Sequence, residues 1–403
     1  MFLTDDAGLG GGRRGRLFGS LCTMVFLVNL ARVVFAPLVE PLRTAFGFSG
    51  GTIGLVVTMT WVGSALPRLP TGYLLTKVPR HSVVFGSGAL LTAAAAITAV
   101  ADSFYALAAG ALLMGVTSGA YFIAANPLVS ELFPDRVGRA IGVHGMSSQL
   151  AAVGAPLVVG GVLAVADWRA VFWLISAVAG ATTAVFFLIA RRAEMPSAGT
   201  KDRAVLAALR RQWPIIVTGV AIIGATGFVW NGVFNFYVTY LVEAKDLGEP
   251  MARNALTAVF AAGVPAFVLT GRIAERIAYV PLMLSILGAF VAALLALTVV
   301  QGLAAVLLVS LILGYVIHSL FPALDTYLLD SLPDENRASA YSLYSASMML
   351  VQATGSAALG GLTDAGVAFD AVFRGYAVAL VAVLVVLLVL YAAGRLPSEA
   401  APA

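Results

Sequence analysis

The sequence predicts an all-α membrane protein of twelve transmembrane helices arranged as two pseudo-symmetric six-helix bundles. Three observations carry that prediction. Of 403 residues, 60% are hydrophobic and only 11% are charged, whereas a soluble domain carries roughly 25% charged residues to cover its surface. The mean hydropathy is +0.96, and a chain of this length holds about twelve spans of ~20 apolar residues with short loops. The two halves also repeat one another.

Apolar stretches separated by polar punctuation place spans 1 to 6 near residues 17–39, 51–75, 82–101, 104–133, 138–166 and 168–190. Spans 7 to 12 follow near 214–243, 251–275, 279–300, 302–331, 336–365 and 370–393. The expected organisation is a tail over 1–16, a first bundle over 17–190, a linker over 191–213, a second bundle over 214–393 and a tail over 394–403. The linker is the longest polar stretch and carries Arg191, Arg192, Lys201, Arg203, Arg210 and Arg211. Its segment Ala204 to Leu209 suits either a short helix on the inner leaflet or an irregular loop. The first apolar run is too long for a signal peptide and lacks a small-residue cleavage site, so it is expected to be retained as a helix.

The net charge is only +4, which gives no reason to expect a nucleic-acid partner; the basic residues instead set orientation. With a cytoplasmic N-terminus, 17 of the 24 lysines and arginines fall on the cytoplasmic side and five on the other, the remaining two lying within spans. That bias follows the positive-inside rule with both termini cytoplasmic. A plasma-membrane protein, acting as a monomer in the bilayer, is the expectation.

An offset of 199 brings Phe35 onto Phe234, Gly72 onto Gly271, Gly115 onto Gly314, Pro134 onto Pro333 and Asp135 onto Asp334. An offset of 200 aligns Gly160 and Gly161 with Gly360 and Gly361. Duplicated halves are the architecture in which a substrate site forms near the bilayer midplane, between the repeats.

Several chemistries find no support. The string from Gly10 to Gly15 matches a dinucleotide fingerprint by letter but follows no strand. No phosphate loop or serine nucleophile elbow occurs, and His81, His144 and His318 fall in separate elements without ligand spacing. The single cysteine, Cys22, allows no internal disulfide. No catalytic residues, metal site or cofactor are expected.

The stretch after span 2 runs from Gly72 through Thr76, Lys77, Pro79, Arg80 and His81, and its copy after span 8 holds Gly271, Glu275 and Arg276. This pair resembles the loop motif of the major facilitator superfamily of secondary transporters. Thr76 replaces the usual acid of the first copy and Pro79 the second glycine. The loops at Pro134–Arg139 and Pro333–Arg337 and the pair Trp168–Arg169 are similar to further family features, and the resemblance covers essentially the whole chain. Within the family, Ala111 stands where drug and proton antiporters carry an arginine. Gly145, Gly154 to Pro156 and Gly160–Gly161 partly match their helix 5 motif, or serve plain helix packing. Arg68 with Pro70 is similar to nitrate transporters, whose other signatures are missing.

The resemblance implies alternating-access transport of a small solute. Ionisable groups inside spans cost about 2.5–3.5 kcal/mol each and so face a cavity or a partner. Arg32 lies three residues after Asn29, on one face of span 1, and its repeat partner is Asn231, with Asn235 one turn on. Arg32 resembles the helix 1 arginine of organic-anion and organophosphate members; tying to helix carbonyls or to Glu40 is the alternative. Together with His318 these form the expected substrate-binding set. Asp325, opposite Asn126 in the repeat, is the carboxylate well inside a span and is expected to carry a coupling proton or to balance Arg68, which can otherwise snorkel to the interface. His144 and Tyr344, another repeat pair, line an exit path or pack. Glu131 and Asp330 sit at span ends as boundary residues. Trp61, Trp230, Tyr237 and Tyr240 shape a pocket or anchor the interface. Two basic groups against one acid favour an organic or inorganic anion, coupled to protons by symport or antiport. Efflux of hydrophobic or drug-like compounds is the alternative within transport, and a non-transporting sensor or scaffold the alternative outside it.

Overall fold

The computed structural model describes residues 12–191, 205–274, 277–331 and 337–396. Every regular element among them is helical. Seventeen α-helices make up twelve rods, because four spans are broken. Span 1 is α1 (Gly12–Val33) and α2 (Phe35–Phe46); span 2 is α3 (Gly50–Ala65) and α4 (Arg68–Leu74). Spans 3 to 6 are α5 (Arg80–Ala99), α6 (Phe104–Leu132), α7 (Val137–Leu163) and α8 (Trp168–Ala190). Span 7 is α9 (Val205–Gly219), a π-helical turn (Val220–Gly224), α10 (Ala225–Asn235) and α11 (Tyr237–Lys245). Spans 8 to 10 are α12 (Glu249–Ala274), α13 (Tyr279–Val299) and α14 (Leu303–Ser331); α15 (Arg337–Ala353) and α16 (Gly355–Asp364) form span 11, and α17 (Phe369–Ala392) is span 12. Nine described helical segments are long and apolar enough to cross a membrane.

Two of the breaks have a local cause. Pro37 cannot donate to the carbonyl of Val33, and its ring crowds that group, so the helix interrupts at Val34. Pro67 and Pro70 act likewise at Leu66, between α3 and α4. Ends are capped where sequence permits. Asp167 accepts from the backbone N–H of Arg169 at 3.1 Å and Ala170 at 3.4 Å, fixing the start of α8. The stretch around 205–209 is not a separate surface helix or loop: it is the first turn of α9, continuous with span 7.

Contacts divide the chain into two compact units. The first comprises Met1–Val34 and Met59–Asp202; the second comprises Phe35–Thr58 and Arg203–Ala403. The chain thus passes from one to the other inside the 191–213 segment, and residues 35–58 of the first repeat belong by contact to the second unit.

In the first unit, α1 packs on α5, α6, α7 and α8. Gly115 of α6 lies against α3, where a Cβ would run into the carbonyl oxygen of Thr60. In the second unit, Gly314 of α14 lies against α12, where a Cβ would run into the carbonyl of Val259. Thr60 and Val259 stand 199 apart, as do Gly115 and Gly314, so the same close crossing is built twice. Such backbone approach through glycine is how helices associate without a hydrophobic drive. By contrast, a Cβ added at Gly142, Gly145 or Gly161 of α7 would meet nothing within 4 Å, so no such close crossing is built at these positions.

Within the second unit, α2 packs on α10 and α11. Glu40 pairs with Arg43 at 3.0 Å and accepts from Thr239 at 2.6 Å, while Arg43 reaches Glu243 at 3.3 Å. Asp364, at the end of α16, takes the N–H groups of Gly50 and Gly51 at 2.7 Å each, capping α3.

Candidate functional site

Arg32 occupies the last turn of α1, where its positive charge complements the carbonyl end of the helix. Its Nη2 donates to Asn29 Oδ1 at 2.6 Å, and Asn29 Nδ2 donates in turn to the Ser148 carbonyl of α7 at 2.7 Å. The guanidinium lies 4.7 Å from the Trp61 ring centre and 5.8 Å from that of Phe122. Cation–π contacts of this kind contribute about 0.5–2 kcal/mol, more when desolvated. Arg32 Nε is shielded from solvent and has no hydrogen-bond partner. Among the described residues no carboxylate lies within ion-pair distance of Arg32; Glu40, the alternative partner, is engaged by Arg43 and Thr239. The group is therefore oriented, flanked by rings and left with donors to offer.

Asn231 and Asn235 lie one turn apart on α10, both buried, beside Ser356 of α16. Asn235 Nδ2 donates to the Asn231 carbonyl at 2.8 Å and to Ser356 Oγ at 3.1 Å, and Ser356 Oγ donates to Asn231 Oδ1 at 2.7 Å. Next to them Trp230, Phe234, Phe260 and His318 form an edge-to-face aromatic cluster, with His318 5.8 Å from both Trp230 and Phe260. His318 Nδ1 donates to the Gly314 carbonyl at 2.6 Å. Tyr237 bonds Ser310, and the single Tyr240 hydroxyl proton is shared between the Leu297 carbonyl at 3.0 Å and Asp370 at 2.9 Å, so both tyrosines are buried structural ties.

His144 is buried in α7, its Nε2 3.0 Å from the Tyr121 hydroxyl, which donates to the Leu21 carbonyl at 2.8 Å. Arg68 is half-buried and its Nε donates to the Ser64 carbonyl at 3.2 Å. Asn126 is exposed on α6, and Tyr344 is buried in α15. In the loop motif, Gly72 is buried, Lys77 stacks 4.7 Å from the Tyr73 ring, and Arg80 pairs with Glu131 at 2.7 Å. Glu131, read as a boundary residue, is thus the ion-pair partner of a motif arginine. Gly271 lies in α12; Glu275, Arg276 and residues 332–336 lie outside the described residues, as do the side chains of Asp325 and Asp330.

Phe122, Ser148 and Ser356 were absent from the sequence-derived set. Phe122 stands one turn before Asn126, a signal that a helical wheel offers. Ser148 contributes only its carbonyl, for which a sequence has no mark.

Twelve helical rods, a duplicated glycine crossing and polar groups held inside the repeats define a membrane transporter of the two-repeat class. The sequence matches the Major Facilitator Superfamily over residues 21–317 and 241–403. The chain belongs to that family. No curated protein matches it. Among solved structures, a bacterial homologue of the human lysosomal transporter Spinster, inward-facing and occupied, is similar with a TM-score of 0.77 and 18% identity, over 96% of this chain and 98% of that one. A D-xylose–proton symporter is similar with a TM-score of 0.75 and 13% identity, over 92% and 96% of the two chains. A POT family transporter in complex with a thioalcohol-conjugated peptide gives 0.74 and 13%, over 93% and 96%. At these identities the likeness is one of fold.

Proposed function

We propose that the protein moves a small anion, organic or inorganic, across the membrane by proton-coupled alternating access, with Arg32 as the anion-binding group. The observation that carries this reading is the state of Arg32: fixed by Asn29, flanked by Trp61 and Phe122, and without a carboxylate among the described residues. A half-buried cation in this condition is stabilised by a mobile counter-charge. A guanidinium also holds an oxyanion through two parallel bonds, which an ammonium cannot reproduce.

The test is counterflow in proteoliposomes, with pooled anions set against pooled lipophilic cations. Anions are expected to exchange, and Arg32→Lys is expected to raise the half-saturating anion concentration at least tenfold while the protein stays folded. Exchange of lipophilic cations alone would replace this reading with efflux of hydrophobic compounds. Orientation, with both termini cytoplasmic in the plasma membrane, is tested by impermeant thiol labelling in a Cys22→Ser background. Ser197→Cys should label from the cytoplasm and Val165→Cys, 87% exposed between α7 and α8, from outside.

A further inference from the structure

The Asn231–Asn235 pair has a feature that the packing of the second unit does not account for. Asn231 is 1% exposed and Asn235 0% exposed, yet Asn231 Nδ2 and Asn235 Oδ1 have no hydrogen-bond partner. Side-chain amides can be turned over, so orientation has to be argued. The Asn231 carbonyl accepts only donors, and the amide group of Asn235 lies 2.8 Å from it; that group must be Nδ2. Asn235 Nδ2 then approaches the Asn231 side chain at 3.3 Å, which fixes Oδ1 of Asn231 on that side. One donor and one acceptor, a helical turn apart, are left over by this logic. Native interiors seldom leave even one such group orphaned.

Their place in the fold is equally specific. α10 ends at Asn235, and α16 begins one residue before Ser356, so two broken helices meet at this cluster. The backbones touch there: a Cβ at Gly355 would run into the Phe228 carbonyl, and one at Gly232 would come within 2.9 Å of the Gly355 carbonyl. Discontinuous membrane helices are where transporters place polar binding groups.

A single hydroxyl both accepts and donates, and so satisfies both orphans at once. Chloride or nitrate offers acceptors only, and would leave Asn235 Oδ1 unsatisfied. We infer that Asn231 Nδ2 and Asn235 Oδ1 form a hydroxyl subsite for the transported solute. This inference rests on the second unit alone; the choice of anions as probes rests on the proposed role of Arg32.

The test uses the full-length protein in nanodiscs and follows tryptophan fluorescence, since Trp230 adjoins the pair. Hydroxy and deoxy partners are titrated: lactate against propionate, malate against succinate, gluconate against hexanoate, with nitrate as the inorganic probe. At least one hydroxylated member is expected to bind tenfold or more tightly than its deoxy partner. Asn231→Leu and Asn235→Leu, each checked for an intact thermal transition, should collapse that ratio to near unity. If neither leucine variant folds, Asn231→Asp, which replaces the orphan donor with an acceptor of almost the same size, should likewise bring the ratio toward unity. Equal binding of hydroxy and deoxy partners across the panel overturns the inference and leaves the pair to a trapped water. A ratio that persists in a folded leucine variant also overturns it. If Arg32→Gln binds anions as the unmodified protein does while the hydroxyl preference remains, the anion reading fails and the subsite stands.

Discussion

Asn29 stands between Arg32 and the backbone of α7, accepting from the guanidinium at 2.6 Å and donating to the Ser148 carbonyl at 2.7 Å. Its amide has no freedom to turn over, because the Ser148 carbonyl accepts only donors and Arg32 supplies only donors. Asn29 thereby positions the Arg32 guanidinium against α7.

The first prediction follows from that geometry. Asn29→Asp is nearly isosteric but gives Arg32 a carboxylate neighbour, and a carboxylate at hydrogen-bond distance competes with any anion for the same guanidinium. Anion counterflow is expected to fall at least tenfold, and Asn29→Ser to fall less. Undiminished exchange in Asn29→Asp would remove Arg32 from the anion site.

A second prediction concerns the duplicated crossing. Alanine at Gly115 or Gly314 would push a methyl group into the carbonyl of Thr60 or Val259, and overpacking of this kind costs about 1–3 kcal/mol. Gly145→Ala, which meets nothing within 4 Å, is the control. Thermal unfolding in detergent should show lower midpoints for both crossing variants and none for the control. Equal midpoints in all three would mean that the crossings relax freely.

The third prediction tests how residues 35–58 are held. Asp364 caps α3 through two bonds of 2.7 Å, and because the carboxylate is exposed the cap as a whole contributes about 0.5–2 kcal/mol. Asp364→Ala should therefore increase amide hydrogen exchange at residues 50–53 at least tenfold while leaving α13 unchanged. Exchange that stays as slow as before would show that the glycine contacts with Gly360 hold the segment without the cap.

Much of the fold was legible because loops are polar and membrane spans are not, but the breaks inside spans were not read in advance, although Pro37, Pro67 and Pro70 stand at two of them. The π-turn at Val220–Gly224 and the break at Thr354 carry no proline and gave no signal. Arg32 with Asn29 was legible because residues three apart share a helix face. Its ring neighbours come from α3 and α6, and nothing in a linear pattern states which aromatic meets which cation. That residues 35–58 join the second unit was equally hidden, since hydropathy marks an apolar surface without naming its partner.

The last prediction concerns drive. Asp325 belongs to α14, and a carboxylate changes its proton affinity with its solvent exposure and its neighbours. Alternating access changes solvent exposure and neighbours together, so one carboxylate can take up a proton in one state and release it in the other. Asp325→Asn mimics the protonated side chain permanently. It is expected to abolish accumulation driven by a pH gradient while sparing exchange of solute for solute, which needs no net proton movement. His144 supplies the comparison, because its Nε2 is already engaged by Tyr121 at 3.0 Å. His144→Gln should change the rate of exchange and leave its dependence on the gradient intact. Gradient-driven uptake that survives in Asp325→Asn but is lost in His144→Gln would transfer the coupling role from α14 to α7.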